Sequence, residues 1–135
     1  MSQINLKVVT PERLVFEDIV DMVTVPAPDG PLGILPHHIS LMSKVSPGEL
    51  QIKKGGKENF LAVGEGIVQV AGSEVIVMTD LAKTHEEIDE AAVEEAKKRA
   101  QEALTQILSD EEYATTLAAL DKSLAQLKVK RRRGP

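Results

Sequence analysis

The sequence contains no cysteine and no tryptophan, and its 135 residues include one tyrosine and two phenylalanines. The absence of cysteine excludes disulfides, thiolate metal sites and a cysteine nucleophile. Because aromatic residues are so scarce, the core must form from Val, Ile, Leu and Ala, and a deep, aromatic-walled ligand cavity is not expected. No apolar run approaches the ~20 residues of a membrane span, and residues 1–10 lack the order of a signal peptide. These absences favour a cytosolic protein, or one bound peripherally to a membrane complex without inserting into the membrane.

The net charge of −5 conceals a separation of charge along the chain. A basic C-terminal end follows an acidic body, and its cations are Lys128, Lys130, Arg131, Arg132 and Arg133. Such a cluster is able to bind nucleic acid, anionic lipid or an acidic protein surface. Nucleic acid is disfavoured because the body is acidic and no aromatic residue interleaves the cations. An acidic protein partner is the favoured functional interpretation, against a frayed, solvated tail that binds nothing.

Residues 1–84 carry the pattern of short β-strands. Ile4, Leu6 and Val8 alternate with polar neighbours, as in a half-buried strand. Further apolar, β-branched runs lie at residues 23–25, 60–63, 67–70 and 75–78. Turn-forming residues separate them, and the dipeptide Gly72-Ser73 is typical of a two-residue β-hairpin loop. The predicted fold class is α+β, with a β-sandwich or flattened barrel of about eight to ten strands in this first domain.

Residues 85–135 change to a helical period and are predicted to form an antiparallel two-helix hairpin with a basic tail. One apolar stripe consists of Ile88, Ala92, Ala96, Ala100, Ala103 and Ile107. The other consists of Tyr113, Leu117, Leu120, Leu124 and Leu127. Because one stripe is rich in Ala and the other in Leu, small residues are expected to receive large ones across the hairpin. Each helix is expected to be ~20 residues, or ~30 Å, long.

The helix ends and the connection to the strands also have sequence signals. Ser109 to Glu112 form a capping box for the second helix, whereas Thr84 with Glu87, or Asp89, caps the first. Two short helices bury little surface against each other, so their docking should be marginal. The same Leu stripe is also able to face a partner instead of the first helix. The polar segment 81–87 is a candidate hinge, and a static hairpin that merely completes the fold is the alternative.

Catalytic chemistry finds little support in the residues. His37 and His38 are adjacent and would point to opposite faces of a strand, and His85 is distant in sequence, so the spacing does not suit a metal site. The Gly55-Gly56-Lys57 segment lacks the wider spacing of a phosphate loop and fits a hairpin turn. The carboxylates cluster on the predicted helices, where solvation and helix dipoles account for them.

The segment from Asp29 to Leu41 combines turn formers with an apolar tetrad and a second proline, which exceeds what a plain hairpin requires. Its Gly-x-Leu-Gly-Ile-Leu-Pro-x-His pattern runs from Gly30 to His38. Together with the segments Val8-Val9-Thr10-Pro11, Lys53-Lys54-Gly55-Gly56 and Phe60-Leu61-Ala62-Val63, it resembles the epsilon subunit of bacterial F-type ATP synthases. The resemblance runs in order from about Ile4 to about Ala100, and more loosely to the end.

The resemblance implies a non-catalytic subunit in the central stalk, located peripherally at the cytoplasmic face of the cell membrane. In that family the β-sandwich lies between the gamma subunit and the ring of c subunits, and the helices either fold against it or extend along gamma to inhibit ATP hydrolysis. It implies that a loop with Asp29, Gly30, Leu32 and His38 faces the c ring. It also implies that four cations meet the catalytic β subunit, beside α, in the inhibitory state: Lys122, Lys128, Lys130 and Arg131.

The resemblance further implies a regulatory ATP site in the folded hairpin, possessed by several family members, and no required cofactor. Its motif corresponds here to Ile88 and Asp89, with Arg99 at another basic position, but Ala92 replaces the motif arginine. Losing a hydrogen bond to a charged phosphate should weaken ATP binding, with or without magnesium, by roughly 10- to 150-fold. Two other hypotheses are an ATP-sensing module and, outside the family, a β-sandwich adaptor whose basic tail binds nucleic acid or lipid.

Overall fold

Alternating apolar residues build the N-terminal strands, as the first of them shows. In the computed structural model, which describes residues 3–37 and 40–132, Ile4, Leu6 and Val8 are buried and their neighbours are partly exposed. The described residues form ten strands: β1 Ile4–Val9, β2 Leu14–Val20, β3 Met22–Val25, β4 Leu32–Ile34, β5 Leu41–Val45, β6 Gly48–Lys54, β7 Lys57–Val63, β8 Gly66–Ala71, β9 Glu74–Thr79 and β10 Ala82–Lys83. A 3-10 turn, His85–Glu87, and two helices, α1 Glu90–Ala103 and α2 Asp110–Arg131, follow.

The strands form two five-stranded sheets that pack face to face. The first sheet has the order β2-β1-β9-β8-β5 and the second β10-β7-β6-β3-β4. Strands β1 and β9 run parallel, whereas the other described pairs are antiparallel. The inward side chains of both sheets form one aliphatic core, which includes Leu6, Val23, Leu50, Leu61 and Val77. The predicted fold class, a β-sandwich followed by two helices, is confirmed.

Two glycines fix the pairing of β8 with β9, one through its backbone conformation and one through a close approach. Gly72 has a φ of 63° and begins the two-residue loop that joins β8 to β9, as predicted. Gly66 pairs with Thr79, and a Cβ at this glycine would lie 1.9 Å from the carbonyl oxygen of Met78. A side chain at residue 66 would therefore force β8 and β9 apart.

The helix caps follow the sequence signals. The Ser109 hydroxyl accepts from the Glu112 amide at 3.1 Å, and the Glu112 carboxylate accepts from the Ser109 amide at 3.1 Å, which confirms the capping box. The Asp89 carboxylate accepts from the Ala92 amide at 3.2 Å and caps α1. Of the two alternatives for the start of the first helix, Asp89 is therefore the cap of α1, whereas Thr84 and Glu87 form a capping box around the separate 3-10 turn before it.

The segment 81–87, which the sequence suggested as a hinge, has regular structure in the folded state. Ala82 and Lys83 pair with β7, and Ala82 is buried. The Thr84 backbone N–H and hydroxyl donate to Glu87, and this carboxylate also pairs with Arg13. The Thr84 N–H is the main cause that lowers the pKa of Glu87. The segment is therefore anchored to both sheets rather than being a bare linker.

The two apolar stripes and the length of α1 were predicted only in part. Helix α1 has 14 residues instead of ~20, because the chain must reverse between Ala103 and Ser109. The prediction that the two stripes pack against each other is wrong for five of their residues, which are exposed: Ala92, Ile107, Tyr113, Leu117 and Leu124. The buried residues of α2 are Ser123, Ala125, Leu127 and Val129. They follow no single stripe because α1 covers one side of this half of α2 and strands β6 and β7 cover another.

Candidate functional site

The outer face of the second sheet is the surface on which the helical hairpin docks. Ala62 on β7 forms a small buried cluster with Ile88, Val93, Leu127 and Val129 of the hairpin. The side chain of Phe60 packs at its edge. Full burial of an aliphatic side chain contributes about 1.5–3 kcal/mol, so these few residues supply a modest docking energy. The hairpin is thus held by a contact much smaller than the core of the sandwich.

Glu49 and Phe60 of the second sheet form a docking site for the last turn of α2. The Glu49 carboxylate accepts from Arg132 at 2.6 and 3.0 Å, and it pairs with Lys128 at 3.3 Å. The Arg132 guanidinium lies 3.9 Å from the centre of the Phe60 ring. The hydrogen bond to Glu49 raises the pKa of Arg132. We call this pair of residues the Glu49–Phe60 site.

The four cations that the resemblance assigns to inhibition all have partners within the folded chain. Lys122 pairs with Asp80 at 2.5 Å, and Lys130 donates to the His85 carbonyl oxygen at 3.0 Å. Lys128 reaches the Glu49–Phe60 site. Arg131 contacts two carboxylates of α1, Glu90 at 2.7 Å and Glu94 at 2.6 Å. The hydrogen bond from Arg131 is the main cause that lowers the pKa of Glu94.

These ion pairs fall into two groups that connect different parts of the chain. Lys122, Lys128 and Arg132 join α2 to the sandwich and to the residues that follow β9. Arg131 instead joins the two helices to each other. Gly64 permits the Lys122–Asp80 pair, since a Cβ there would lie 2.1 Å from an oxygen of Asp80. Undocking the hairpin and separating its helices therefore break different contacts.

The residues predicted to bind ATP are not brought together in the folded hairpin. Ile88 lies in the buried cluster, and Asp89 uses its carboxylate to cap α1. Arg99 is exposed and pairs with Glu95 at 3.2 Å. The rise of an α-helix places Arg99 about 15 Å from Asp89 along the axis. Within the described residues, no group of three His, Asp or Glu side chains is placed to hold a metal ion.

The predicted c-ring loop forms the turn between β3 and β4. Asp29 and Gly30 are exposed, and Gly30 has a φ of 115° and donates its amide to the Ala27 carbonyl oxygen at 3.0 Å. Leu32 begins β4 and is partly buried, and Leu35 beyond that strand is exposed. His38 lies outside the described residues. The loop therefore exposes a carboxylate and an apolar side chain close to the same turn.

The outer face of the first sheet carries an exposed apolar row that the sequence analysis missed. The register aligns Ile67, Met78, Val9 and Leu14 across four neighbouring strands. Ile67, Met78 and Leu14 are exposed. A groove of about 430 Å³ is lined by Val9, Ile67 and Met78 of this row and also by Pro11. The signal was present in the sequence, since the run 75–78 is apolar on both faces instead of alternating and Ile67 adds an apolar residue to the outer face of β8.

The Glu49–Phe60 site and the roles of Asp80 and Arg132 were also missed. No local pattern distinguishes Glu49, which follows the Ser46-Pro47-Gly48 turn, from any exposed strand glutamate. Its position becomes meaningful only after β6 and β7 pair and place it beside Ala62.

Among residues 3–37 and 40–132, none of the helices has the length and apolarity needed to cross a bilayer.

Comparison with known proteins gives matches over almost the whole chain. The family model described as "ATP synthase, Delta/Epsilon chain, beta-sandwich domain" matches residues 3–85. The model described as "ATP synthase, Delta/Epsilon chain, long alpha-helix domain" matches residues 86–131. An ATP synthase epsilon chain of Dehalococcoides mccartyi is 41% identical to this chain, and the match covers 100% of this chain and 99% of that protein. One of Alkalilimnicola ehrlichii is 36% identical, with 96% of this chain and 93% of that protein covered.

Solved structures share the fold at lower sequence identity. A chain of the Euglena gracilis mitochondrial ATP synthase, in a structure of OSCP, F1 and the c-ring, has a TM-score of 0.77 and 24% identity, with 95% of this chain and 81% of that chain covered. A chain of the Tetrahymena thermophila mitochondrial ATP synthase central stalk and c-ring has a TM-score of 0.65 and 12% identity, with 94% and 96% covered.

Proposed function

The chain belongs to the ATP synthase delta/epsilon family, and from this premise we propose that it is a non-catalytic central-stalk subunit of an F-type ATP synthase. It links the gamma subunit to the ring of c subunits and takes part in coupling rotation to ATP synthesis. It lies peripherally at the cytoplasmic face of the cell membrane as part of that complex. Family membership leaves no support for a separate adaptor that binds nucleic acid or lipid through a basic tail.

The observation that carries this function is the difference between the two outer faces of the sandwich. The hairpin covers the second sheet, whereas no element of the described part of the chain covers the apolar row of Ile67, Met78, Val9 and Leu14 on the first sheet. Exposed apolar rows of this kind are typical of protein interfaces. We assign the row to gamma, and the loop with Asp29, Gly30, Leu32 and His38 to the c ring.

Binding to purified gamma tests the assignment. Met78→Asp places a charge in the centre of the apolar row, and desolvating that charge should weaken binding at least about tenfold in a calorimetric titration. Ser73→Asp adds the same charge in the exposed β8–β9 turn, outside the row, and should bind gamma as the wild type does. Circular dichroism would first establish that both variants fold. Equal affinity of Met78→Asp and the wild type would overturn the assignment.

The hairpin is the inhibitory part in this proposal. Its few buried contacts suit an element that leaves the sandwich, and its two helices placed end to end reach about 54 Å. When the hairpin undocks, Lys122, Lys128 and Lys130 lose their partners and become available to acidic groups of the catalytic β subunit and its neighbour α. Arg131 becomes available when the two helices separate. Extension thus inhibits ATP hydrolysis by the complex.

ATP is at most a weak regulatory ligand of this chain, and folding of the hairpin needs no cofactor. Ala92 offers no donor to a phosphate, Asp89 already caps α1, and Arg99 pairs with Glu95. Lys122, a further cation of the hairpin, pairs with Asp80. An ATP-sensing hairpin would require these groups to exchange their present partners for the nucleotide, with or without magnesium.

A further inference from the structure

Glu49 is a nearly buried carboxylate whose partners all come from the far end of the chain. Its side chain is 10% exposed, and both cations that reach it, Lys128 and Arg132, lie in the last turn of α2 or just beyond it. A carboxylate withdrawn from water is destabilised unless charged or polar partners compensate for the lost hydration. The hairpin therefore supplies the compensation for a charge on the sandwich.

Phe60 adds a second, directional contact at the same place. Its ring faces the Arg132 guanidinium at 3.9 Å, which is within the range of a cation–π interaction. Arginine is well suited to this geometry because its planar group stacks on a ring while donating two parallel hydrogen bonds to a carboxylate. The end of α2 is thus fixed in position and orientation, beside the apolar contact of Ala62 with Leu127 and Val129.

We propose that the Glu49–Phe60 site is a latch that holds the hairpin folded, and that it competes with the inhibitory partner for the basic end of α2. The proposal rests on the inhibitory role proposed above for the hairpin. Glu49 is accessible to water once α2 leaves, so the carboxylate regains hydration and opening is not prohibitive. Docking costs the hydration of Glu49 and gains its ion pairs with Lys128 and Arg132. Because these two free energies oppose each other, the site is able to close and open reversibly.

The competition follows from the charges. Lys128 pairs with Glu49 in the folded state, and the same ammonium is one of the groups assigned to the catalytic β subunit in the extended state. The hairpin cannot be folded and extended at the same time. The Lys128 ammonium therefore cannot pair with Glu49 and with a carboxylate of the β subunit at once. Weakening the latch therefore shifts the chain toward the extended, inhibitory form, whereas weakening the β-subunit contact shifts it toward the folded form.

Thiol labelling in the full-length isolated chain tests the latch. The natural sequence has no cysteine, so Ala62→Cys introduces a single reporter thiol beneath the hairpin, directly across the strand pair from Glu49. In this background, Glu49→Gln should raise the labelling rate about tenfold, because it removes the charge that both cations contact. Arg132→Gln should have a similar effect, and the double variant should exceed neither single variant by more than about twofold.

Glu58→Gln is the matched control. Glu58 lies on β7 with the same outward orientation as Phe60. Among the described residues no ion pair joins it to the hairpin, and it acts on Arg132 only as a longer-range charge, which solvent screens. Losing this charge should change labelling by less than about twofold. Equal labelling of the Glu49→Gln and Glu58→Gln variants, or purely multiplicative effects of Glu49→Gln and Arg132→Gln, would refute the latch. Because Arg132 lies beyond the last helical residue, its variant stays informative if Glu49→Gln fails to fold.

Hydrolysis of ATP by the assembled complex separates failure of the latch from failure of the inhibitory role. Truncation after Glu87 should raise hydrolysis, and Glu49→Gln, in the natural background without the reporter cysteine, should lower it relative to Glu58→Gln. If truncation leaves hydrolysis unchanged, the inhibitory role is wrong, and labelling alone still decides whether the latch exists. If truncation raises hydrolysis and Glu49→Gln speeds labelling but leaves hydrolysis unchanged, the competition is refuted.

Discussion

Leu127→Ala should open the hairpin far more than the same change one turn earlier in α2. Leu127 is 3% exposed and packs with Ala62, Ile88 and Val129. Leu→Ala at a buried site costs about 2–5 kcal/mol, and a small cluster at the edge of a domain should relax toward the lower half of that range. A loss of about 2–3 kcal/mol corresponds to a roughly 30- to 150-fold increase in the opening constant of the hairpin.

Leu124→Ala provides the control because it changes the same residue type in the same helix. Leu124 is 43% exposed, so its truncation should change the opening constant by less than about threefold. Native-state hydrogen exchange of the α2 amides measures this constant, while the amides of β1 and β9 report on the sandwich. Equal effects of the two substitutions, or equal loss of protection in β1 and β9, would contradict the docking arrangement described here.

Three further predictions concern the sandwich, the cap of α2 and the nucleotide. Gly66→Ala should lower the free energy of unfolding by about 3 kcal/mol in thermal denaturation because its Cβ meets the backbone of Met78, whereas Gly33→Ala meets the mobile end of Met22 and should cost less than about 1 kcal/mol; similar losses would contradict this account. Ser109→Ala should cost about 1 kcal/mol at neutral pH. The Ser109 amide is the main cause that lowers the pKa of Glu112, and the Ser109 hydroxyl is the second. The capping-box stabilisation is complete above the ordinary value of about 4.5 and is lost as the pH falls through the lower folded value. It should shrink only in part in the variant, which loses the hydroxyl and keeps the amide; an unchanged acid transition by circular dichroism would argue against a contribution from the hydroxyl. Ala92→Arg should bind ATP at least about tenfold more tightly than the natural chain by calorimetry, and equal affinities would show that the missing arginine is not the limiting group.

Local sequence patterns predicted the strands and turns of the sandwich because neighbouring residues determine both. Alternation at Ile4, Leu6 and Val8 specifies a buried face, and the dipeptide Gly72-Ser73 specifies a hairpin loop. Local patterns do not predict which strands hydrogen-bond to each other. The parallel pairing of β1 with β9, for example, joins residues about seventy positions apart. No local pattern contains that information, and the strand order therefore emerged only from the structure.

The helices show where periodicity alone misleads. A 4-3-4-3 spacing ranked Leu124 and Leu127 as equivalent, but α1 and the second sheet enclose this half of α2 from two sides and bury Ala125 and Val129 instead of Leu124. Burial here depends on what surrounds the helix, not on the helix itself. The same reasoning applies to Ala92, which the pattern placed on the packed face and which is exposed.

The sequence predicted the cations of the candidate site but not the carboxylates with which they pair. The sequence and its resemblance identified Lys122, Lys128, Lys130 and Arg131, and the structure supplies what they contact in the folded chain. Glu49 escaped because an isolated glutamate after a turn has no distinguishing feature. Its importance arises from desolvation beneath α2, which is a property of tertiary packing.

The most direct test of the central claim is the rate of ATP hydrolysis by the ATP synthase assembled with the full chain and with the chain truncated after Glu87. The core of the sandwich consists of residues before the truncation point, so the shortened chain should fold and assemble with gamma. Co-purification with gamma and the c ring would establish assembly before rates are compared. We expect faster hydrolysis with the truncated chain, and an equal rate in the fully assembled complex would contradict an inhibitory hairpin.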